Sequence, residues 1–515
     1  MNDKYDVVVV GSGPAGAAYA RVVKDANPAA RILMVESGPI VSEPLGTHVR
    51  TIKDPRERLA AQFASQGPEA NPSDYDERVA RALSPSRGRS SEILARPGTW
   101  LLGAGPLSEG EEGFPAAALS SNVGGMGAHW SGACPWPAQG EVSKDLDPEQ
   151  FRSGLDTARR LLQVSQRAFE GAPLGGEVRR LLGAHYDTGR PSDRVVQAMP
   201  LGMEVRPNGE RYWTGPGAML GDLLGPDPAA GFELRPETIA KRILTKAGRT
   251  QGVLLHDRRE NRDYEVGARF VVVAADSLRS PQLLSASGIR PTALGHYLNE
   301  HTMTTSTIQL GPALRSATAG LRKTSEGAVD YLAGVSWVPY YEPTFPFHGQ
   351  ITQWDASPIP VDKSFEAWPG SVVECSVFMG KADVRFEDYV EFDESSPDFF
   401  GMPAIRIHYT FTANDRERLA LAVTEAKRMG SLLGEPINGL EPTVMPHGAS
   451  LHYQGTMRLG ADDTTSVLDT SMRVWGNDTV YAGGNGTIAT PAACNPTLTN
   501  VALSVLGARD LAGRI

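Results

Sequence analysis

Cysteine is scarce in this 515-residue chain: Cys134, Cys375 and Cys494 stand far apart, with no C-x-x-C spacing. That excludes a zinc ribbon and a disulfide framework, and buried free thiols are the expectation. No other cluster of metal-ligating residues stands out, and no metal is expected. Long apolar runs are missing too, none approaching the roughly eighteen residues of a membrane span. The opening MNDKYDVVVVGSG has one lysine and four valines where a signal peptide carries a charged region and a longer apolar core. A cytoplasmic location follows as the expectation. Excess positive charge is also absent. A formal net charge of −10 argues against general affinity for nucleic acid or anionic membranes, because both need a basic face. No internal repeat is visible.

What is present is an ordinary globular composition, 41% hydrophobic and 21% charged, on a chain too long for one compact core. The first informative unit is YDVVVV, GSGPAG, a helical AAYARVVKDA and RILMVE. Val7 to Val10 form a β-branched apolar run, as in a central parallel strand. Gly11, Gly13 and Gly16 follow in G-x-G-x-x-G spacing, which lets backbone approach a pyrophosphate at a helix start. Glu36 ends the next strand, twenty residues on, where an acid bonds ribose hydroxyls. The acid disfavours a 2′-phosphate, so FAD or NAD fits better than NADP.

Residues 40 to 115 are rich in Pro, Gly, Ser and Arg, with one helix expected from Asp54 to Ser65, and read as a lid, an arm or a plain surface insertion. SSNVGGMGAHWSGACPWP then supplies a glycine turn, Gly124, Gly125 and Gly127, able to lie against a flat cofactor, followed by His129 and Trp130. Helices are expected within residues 145 to 225. Phe232 to Leu234 read as a strand, and Thr238 to Leu244, Gly252 to His256 and Tyr264 to Val266 as an antiparallel meander. Phe270 to Ala275 read as a separate return strand. Alternating runs between residues 300 and 450 predict an antiparallel sheet able to cover a substrate. ANDRERLALAVTEAKRMGSLLG follows as an amphipathic helix with Leu419, Ala422, Val423, Ala426 and Met429 on one face and a capped, solvated start. At the C-terminal end Val480 to Ala482 enter a turn of Gly483, Gly484 and Gly486. Asn495 reads as an N-cap and Pro496 as the first position of a closing helix with one buried stripe. Such a helix start can hold negative charge.

Taken together, VVVVGSGPAG, VVVAADSLRSPQLLSASGI and the C-terminal block resemble the glucose–methanol–choline (GMC) superfamily of FAD oxidoreductases. VGGMGAHW, SLHYQGTMRLG, YAGGNGTI and NPTLT are similar to its pyranose oxidase branch and the smaller bacterial glycoside 3-oxidases. The resemblance implies an α/β fold, a Rossmann-like FAD-binding domain interleaved with a substrate-binding domain on an antiparallel sheet with flanking helices. The expected division is 1-45, 95-140, 225-300 and 455-515 for FAD, 141-224 and 301-454 for substrate, and 46-94 as a lid or arm.

The resemblance further implies that His452 is the base and Asn495 its partner on a sugar hydroxyl, a role in competition with capping. Gly125, Met126, His129, Trp130, Ser131, Ala275, Gly484, Asn485, Asn495, Pro496 and Thr497 would join Gly11, Gly13, Gly16 and Glu36 around FAD, and Gln350 and Asp355 would meet substrate. Many pyranose oxidases attach FAD through the histidine of S-T-H-W. Gly127 and Ala128 replace the Ser and Thr here, so non-covalent binding is expected, with a tether through His129 as the alternative. The implied reaction is oxidation of a 2- or 3-hydroxyl of a pyranose or glycoside, with dioxygen reduced to hydrogen peroxide. The alternatives are a sugar dehydrogenase using a quinone or protein acceptor, and a flavin-binding protein without catalysis.

Overall fold

The computed structural model describes residues 4–66, 98–172, 174–224, 231–316, 334–353 and 372–515. Asp355, residues 67–94 of the 46-94 segment and the start of the expected strand VDYLAGVSWVPYY lie outside the described residues. Within them the architecture is α/β, with two large sheets and helices packed against each.

The valine run Lys4–Val10 sits inside an eight-stranded sheet, parallel to Ile32–Val35 on one side and to the end of Arg262–Val273 on the other. Val7 to Val10 are all buried, which is why the run is apolar throughout and does not alternate. Phe232–Arg235 extends the sheet in parallel beyond Ile32–Val35, and Asn477–Ala482 runs parallel to Arg262–Val273. One sequence expectation is corrected: Tyr264 to Val266 and Phe270 to Val273 belong to one strand, Arg262–Val273. Its first half closes the meander with Arg249–Asp257, and its second half enters the parallel sheet. Gly267 at the junction is paired to Gly252 on one side and to Lys4 on the other, so the change in pattern marks a change of neighbours and not a turn.

The closing helix Thr497–Ala512 lies between Pro14–Ala26 and Pro148–Leu161. Flanked on both sides, it is buried nearly all round, Leu503, Ser504 and Ala508 included, where a single stripe is expected from sequence. The helix Pro55–Gln66 matches the expected one, with Asp54 Oδ1 accepting the Arg56 and Glu57 amide hydrogens.

In the second sheet His301–Leu310, Val372–Gly380, His348–Gln353 and Val335–Val338 are neighbours in that order, all antiparallel. The period of two divides its side chains. Ile308, Val377, Cys375, Ile351 and Val338 form one face, covered by Ala422, Ala426 and Met429 of the helix Ala413–Leu433. His301, Phe378, His348, Gln350 and Trp337 fall on the other. The start of the covering helix also departs from expectation. Thr412 and Asp415 form a capping box, but Asp415 is buried, not solvated, because its carboxylate also accepts the Ala382 amide hydrogen at 2.8 Å. Among the described residues no helix is long and apolar enough to cross a membrane, and no cluster could hold a metal ion. The three cysteines are free and buried.

Candidate active site

The three glycines of the first turn serve different purposes. Gly11 leaves its strand at φ +103°, and a Cβ there would stand 2.2 Å from the Ala274 carbonyl oxygen. A Cβ on Gly16 would stand 2.1 Å from the Gly11 carbonyl oxygen, so this glycine lets helix and strand pack. Gly13 has nothing nearer than 3.9 Å, and there the backbone is open to a ligand. The helix that follows has no side-chain cap, which leaves its first amides for an anion. Glu36 is buried and accepts hydrogen bonds from the Ser12 amide at 3.2 Å, the Ser12 hydroxyl at 2.7 Å and the Gly38 amide at 3.1 Å. Burial raises its pKa, and these donors and Arg279 oppose the rise.

Ser12 also ties this turn to the second, accepting the Gly124 amide hydrogen on Oγ at 2.8 Å. Gly124 and Gly125 take φ of +94° and +51° and lead into a short 3-10 turn, Gly125–Ala128. Trp130 donates its indole hydrogen to the Thr214 carbonyl at 2.9 Å. A third turn, after Arg262–Val273, holds Asp276 at φ +77°, a left-handed conformation that is costly for a residue other than glycine. Arg279 braces it, binding Asp276 at 2.6 Å and the Ser121 hydroxyl at 2.8 Å.

These turns surround a cleft of about 1340 Å³, part of it open to solvent. Of the residues expected at the cofactor, Gly11, Gly13, Glu36, Gly125, Met126, Trp130, Ala275, Gly484, Asn485 and Thr497 line it. Gly16, His129, Ser131, Asn495 and Pro496 do not. Ser131 is exposed, and His129 shares a hydrogen bond with the Thr99 hydroxyl through Nε2 at 3.2 Å while its Nδ1 is buried without a partner. Asn500 Nδ2 donates to Asn485 Oδ1 and joins the last two segments.

The expected capping role of Asn495 is corrected. The closing helix begins at Thr497, Pro496 already has helical dihedrals and stands at the cap position, and no side chain caps the helix. The loop before it is held by Glu141, a buried carboxylate whose Oε1 accepts the Ala493 and Cys494 amide hydrogens at 2.7 and 3.1 Å. Asn495 is thereby released from local bonding, and its buried Oδ1 has no partner.

His452 lies between Leu451 and Tyr453, both of which line the cleft. Its ring packs against Phe378, centroids 5.8 Å apart, and its Nδ1 stands 3.0 Å from Nδ1 of His301. Some of its surface stays solvent-exposed, yet desolvation lowers its pKa to about 4, so it is a neutral imidazole at physiological pH. His348, on the same face of the second sheet, neighbours Gln350 and Asn495. The expected residues His452, Asn495 and Gln350 therefore meet in one cluster between cleft and sheet, together with His301 and His348. Those two, with Ser12, Arg279 and Glu141, are missed in the sequence. For His348 the signal was its place two residues before Gln350 on a strand.

A glycine-lined cleft of dinucleotide-binding form beside a neutral imidazole fits an oxidoreductase. The chain belongs to the GMC oxidoreductase family, whose members generally bind FAD: residues 217–303 and 389–504 match its N- and C-terminal models. It is 45% identical to a C-glycoside 3-oxidase of Microbacterium trichothecenolyticum, covering 99% of this chain and 97% of that protein. It is 31% identical to a pyranose 2-oxidase of Tricholoma matsutake, covering 98% and 93%. Its fold is shared with a pyridoxine 4-oxidase from Mesorbium loti, at a TM-score of 0.59 and 18% identity over 98% of this chain and 99% of that one. The open backbone at Gly13, the buried Glu36 and the uncapped closing helix suit FAD's pyrophosphate, ribose and anionic edge.

Proposed function

We propose that the chain is an FAD-dependent oxidase of a pyranose or glycoside, converting a secondary ring hydroxyl at position 2 or 3 to the ketone with dioxygen as acceptor. The identity to a C-glycoside 3-oxidase, 45% against 31% to a pyranose 2-oxidase, favours position 3. FAD bound in the cleft would supply the hydride acceptor, and dioxygen would be the terminal oxidant, giving hydrogen peroxide. The observation that carries the reading is His452: neutral, engaged through Nδ1 and left with Nε2 to take the hydroxyl proton. Asn495 holds the same oxygen through its carboxamide, and Gln350 binds a neighbouring hydroxyl. Asp355 is proposed as a further substrate contact.

In this reading residues 1-45, 95-140, 225-300 and 455-515 bind FAD, 141-224 and 301-454 bind substrate, and 46-94 is a lid or arm insertion. Binding of FAD is proposed to be non-covalent, since His129 does not line the cleft and its Nε2 is shared with Thr99. Acid precipitation should release the flavin, and yellow colour retained in the pellet would contradict this. The whole reading is tested by mixing the holoenzyme with glucose and with an aryl C-glycoside. Anaerobic bleaching, peroxide on admitting air and a 3-keto product support it. Bleaching that is reversed by a quinone but not by air would assign a dehydrogenase instead.

A further inference from the structure

The face of the second sheet that meets the cluster carries a buried polar pair, Trp337 and His348. Trp337 is fully buried, wedged edge-on against Trp136 with ring centroids 5.0 Å apart, and its Nε1–H donates to Nδ1 of His348 at 2.9 Å. An indole nitrogen can only donate. Nδ1 of His348 must therefore be the acceptor, and the hydrogen of the neutral ring is fixed on Nε2. His348 is itself 0% exposed, and burial lowers its pKa to about 3, so the ring stays neutral through the physiological range.

Nε2–H of His348 is thus a donor of known direction, and it closes no hydrogen bond of ordinary geometry within the protein, although Gln350 and Asn495 lie within reach of the ring. Around it stand two more orphans, Oε1 of Gln350 and Oδ1 of Asn495, both buried and unpaired. The side chains of Gln350 and Asn495 are near enough to favour a charged ring, though no hydrogen bond to it is closed. One unpaired buried polar atom is a cost that folded proteins avoid, and three in one place mark a site completed by a ligand. A ligand that satisfies one donor and two acceptors beside a base carries several hydroxyls on neighbouring carbons.

We propose that His348 Nε2–H donates to the hydroxyl next to the one oxidised, and that Trp337 is a positioning residue that holds His348 in this tautomer. The assignment rests on the sugar-oxidase reading and adds to it a donor that recognises the vicinal oxygen. Trp337 faces Gln350 directly across the strand pair, so one rigid strand edge sets both the donor and the amide.

The experiment is the anaerobic reductive half-reaction of holoenzyme with D-glucose and its monodeoxy analogues, giving the sugar Kd and the limiting flavin-reduction rate separately. His348→Phe and Trp337→Phe are each expected to raise Kd about tenfold while changing the limiting rate less than about threefold, the loss of one neutral hydrogen bond. His348→Gln, whose amide can reach the Nε2 position, should recover part of the affinity. One monodeoxy glucose should bind wild type as weakly as glucose binds His348→Phe, and lose nothing further in that variant. Melting temperature and the bound-flavin spectrum identify a variant that has merely lost its fold, and the deoxy sugar on wild type gives a result without any substitution. Unchanged Kd in folded His348→Phe, or equal additional losses with every deoxy sugar, would overturn the assignment. Wild type that no sugar bleaches would instead overturn the sugar reading, and this assignment with it.

Discussion

Nδ1 of His301 and Nδ1 of His452 stand 3.0 Å apart, so one ring must carry the hydrogen there and the other the lone pair. His301 is buried, and its Nε2 stands 2.5 Å from Nε2 of the Gln454 side chain, while the Ala492 carbonyl favours a proton on this ring. With the Gln454 carboxamide turned so that its oxygen faces the ring, the hydrogen of His301 lies on Nε2 and its Nδ1 is the acceptor, the arrangement that a base at His452 requires. His452 then carries Nδ1–H, and its Nε2 has the lone pair a base requires. His301→Ala should slow flavin reduction by roughly 10²-fold with FAD content unchanged, the size of a misassigned general base. His301→Asn, which returns an acceptor to the same place, should recover part of that rate. Stopped-flow reduction of the two variants checks this, and equal rates in both would remove the relay.

The neutrality of His452 gives a pH signature. Burial lowers its pKa to about 4, so the basic form that accepts a proton is present at all pH values well above 4. The second-order rate constant for flavin reduction should therefore change less than about twofold from pH 8 to pH 5.5, whereas a histidine at its ordinary value near 6.5 would lose about tenfold over that span. Measured reduction by glucose across this range decides between the two, and an acid limb centred near 6.5 would show that His452 is not desolvated in the working enzyme.

The first glycine turn and its acid are legible in the sequence because their signals are local. Gly11, Gly13, Gly16 and Glu36 lie within one strand–helix–strand unit, and their spacing alone fixes their relative positions. His301 and His348 come from strands whose partners lie tens of residues away, so nothing in their neighbourhoods announces that they meet His452 and Asn495. The local rule that makes Asn495 a cap fails for a physical reason. Asn before Pro satisfies the local rule, but Glu141, more than 350 residues upstream, already holds the loop and leaves Asn495 for the site. The expectation of a solvated Asp415 fails for a similar reason, since the Ala382 amide hydrogen that its carboxylate accepts lies just past the end of another strand.

Gly13 and Gly16 make a paired test of the turn. Both are glycines of one motif, but a Cβ on Gly13 meets nothing within 3.8 Å, its nearest neighbour being at 3.9 Å, while one on Gly16 would stand 2.1 Å from backbone oxygen. Gly13 also has φ −66°, which any residue adopts. Gly13→Ala should therefore fold with an apoprotein melting temperature near wild type and lose flavin, because the methyl occupies the approach of the pyrophosphate. Gly16→Ala should lower the apoprotein's stability itself, by roughly 1–3 kcal/mol for an overpacked site. Thermal melts of apoprotein and flavin content per chain separate the two. Equal apoprotein melting temperatures would contradict the division of roles.

Buried neutral imidazoles also fix how stability responds to acid. Desolvation, as the leading cause, lowers His48 and His348 to about 3 and His129 and His452 to about 4. Their folded pKa values thus lie below the value near 6.5 expected in the unfolded chain. Between those limits the unfolded chain binds more protons, so stability rises with pH there and is lost as pH falls. Above about 6.5 both states are neutral at these rings and the contribution is level. Below that, each ring costs up to about 1.4 kcal/mol per pH unit, and the four together drive unfolding steeply as pH approaches 4. The melting temperature should therefore be flat near neutrality and drop from about pH 6.5 downward. His48→Gln, which removes one such ring at a distance from the base, should make the drop shallower. A melting temperature independent of pH between 6.5 and 4.5 would show that these rings are solvated in the native protein.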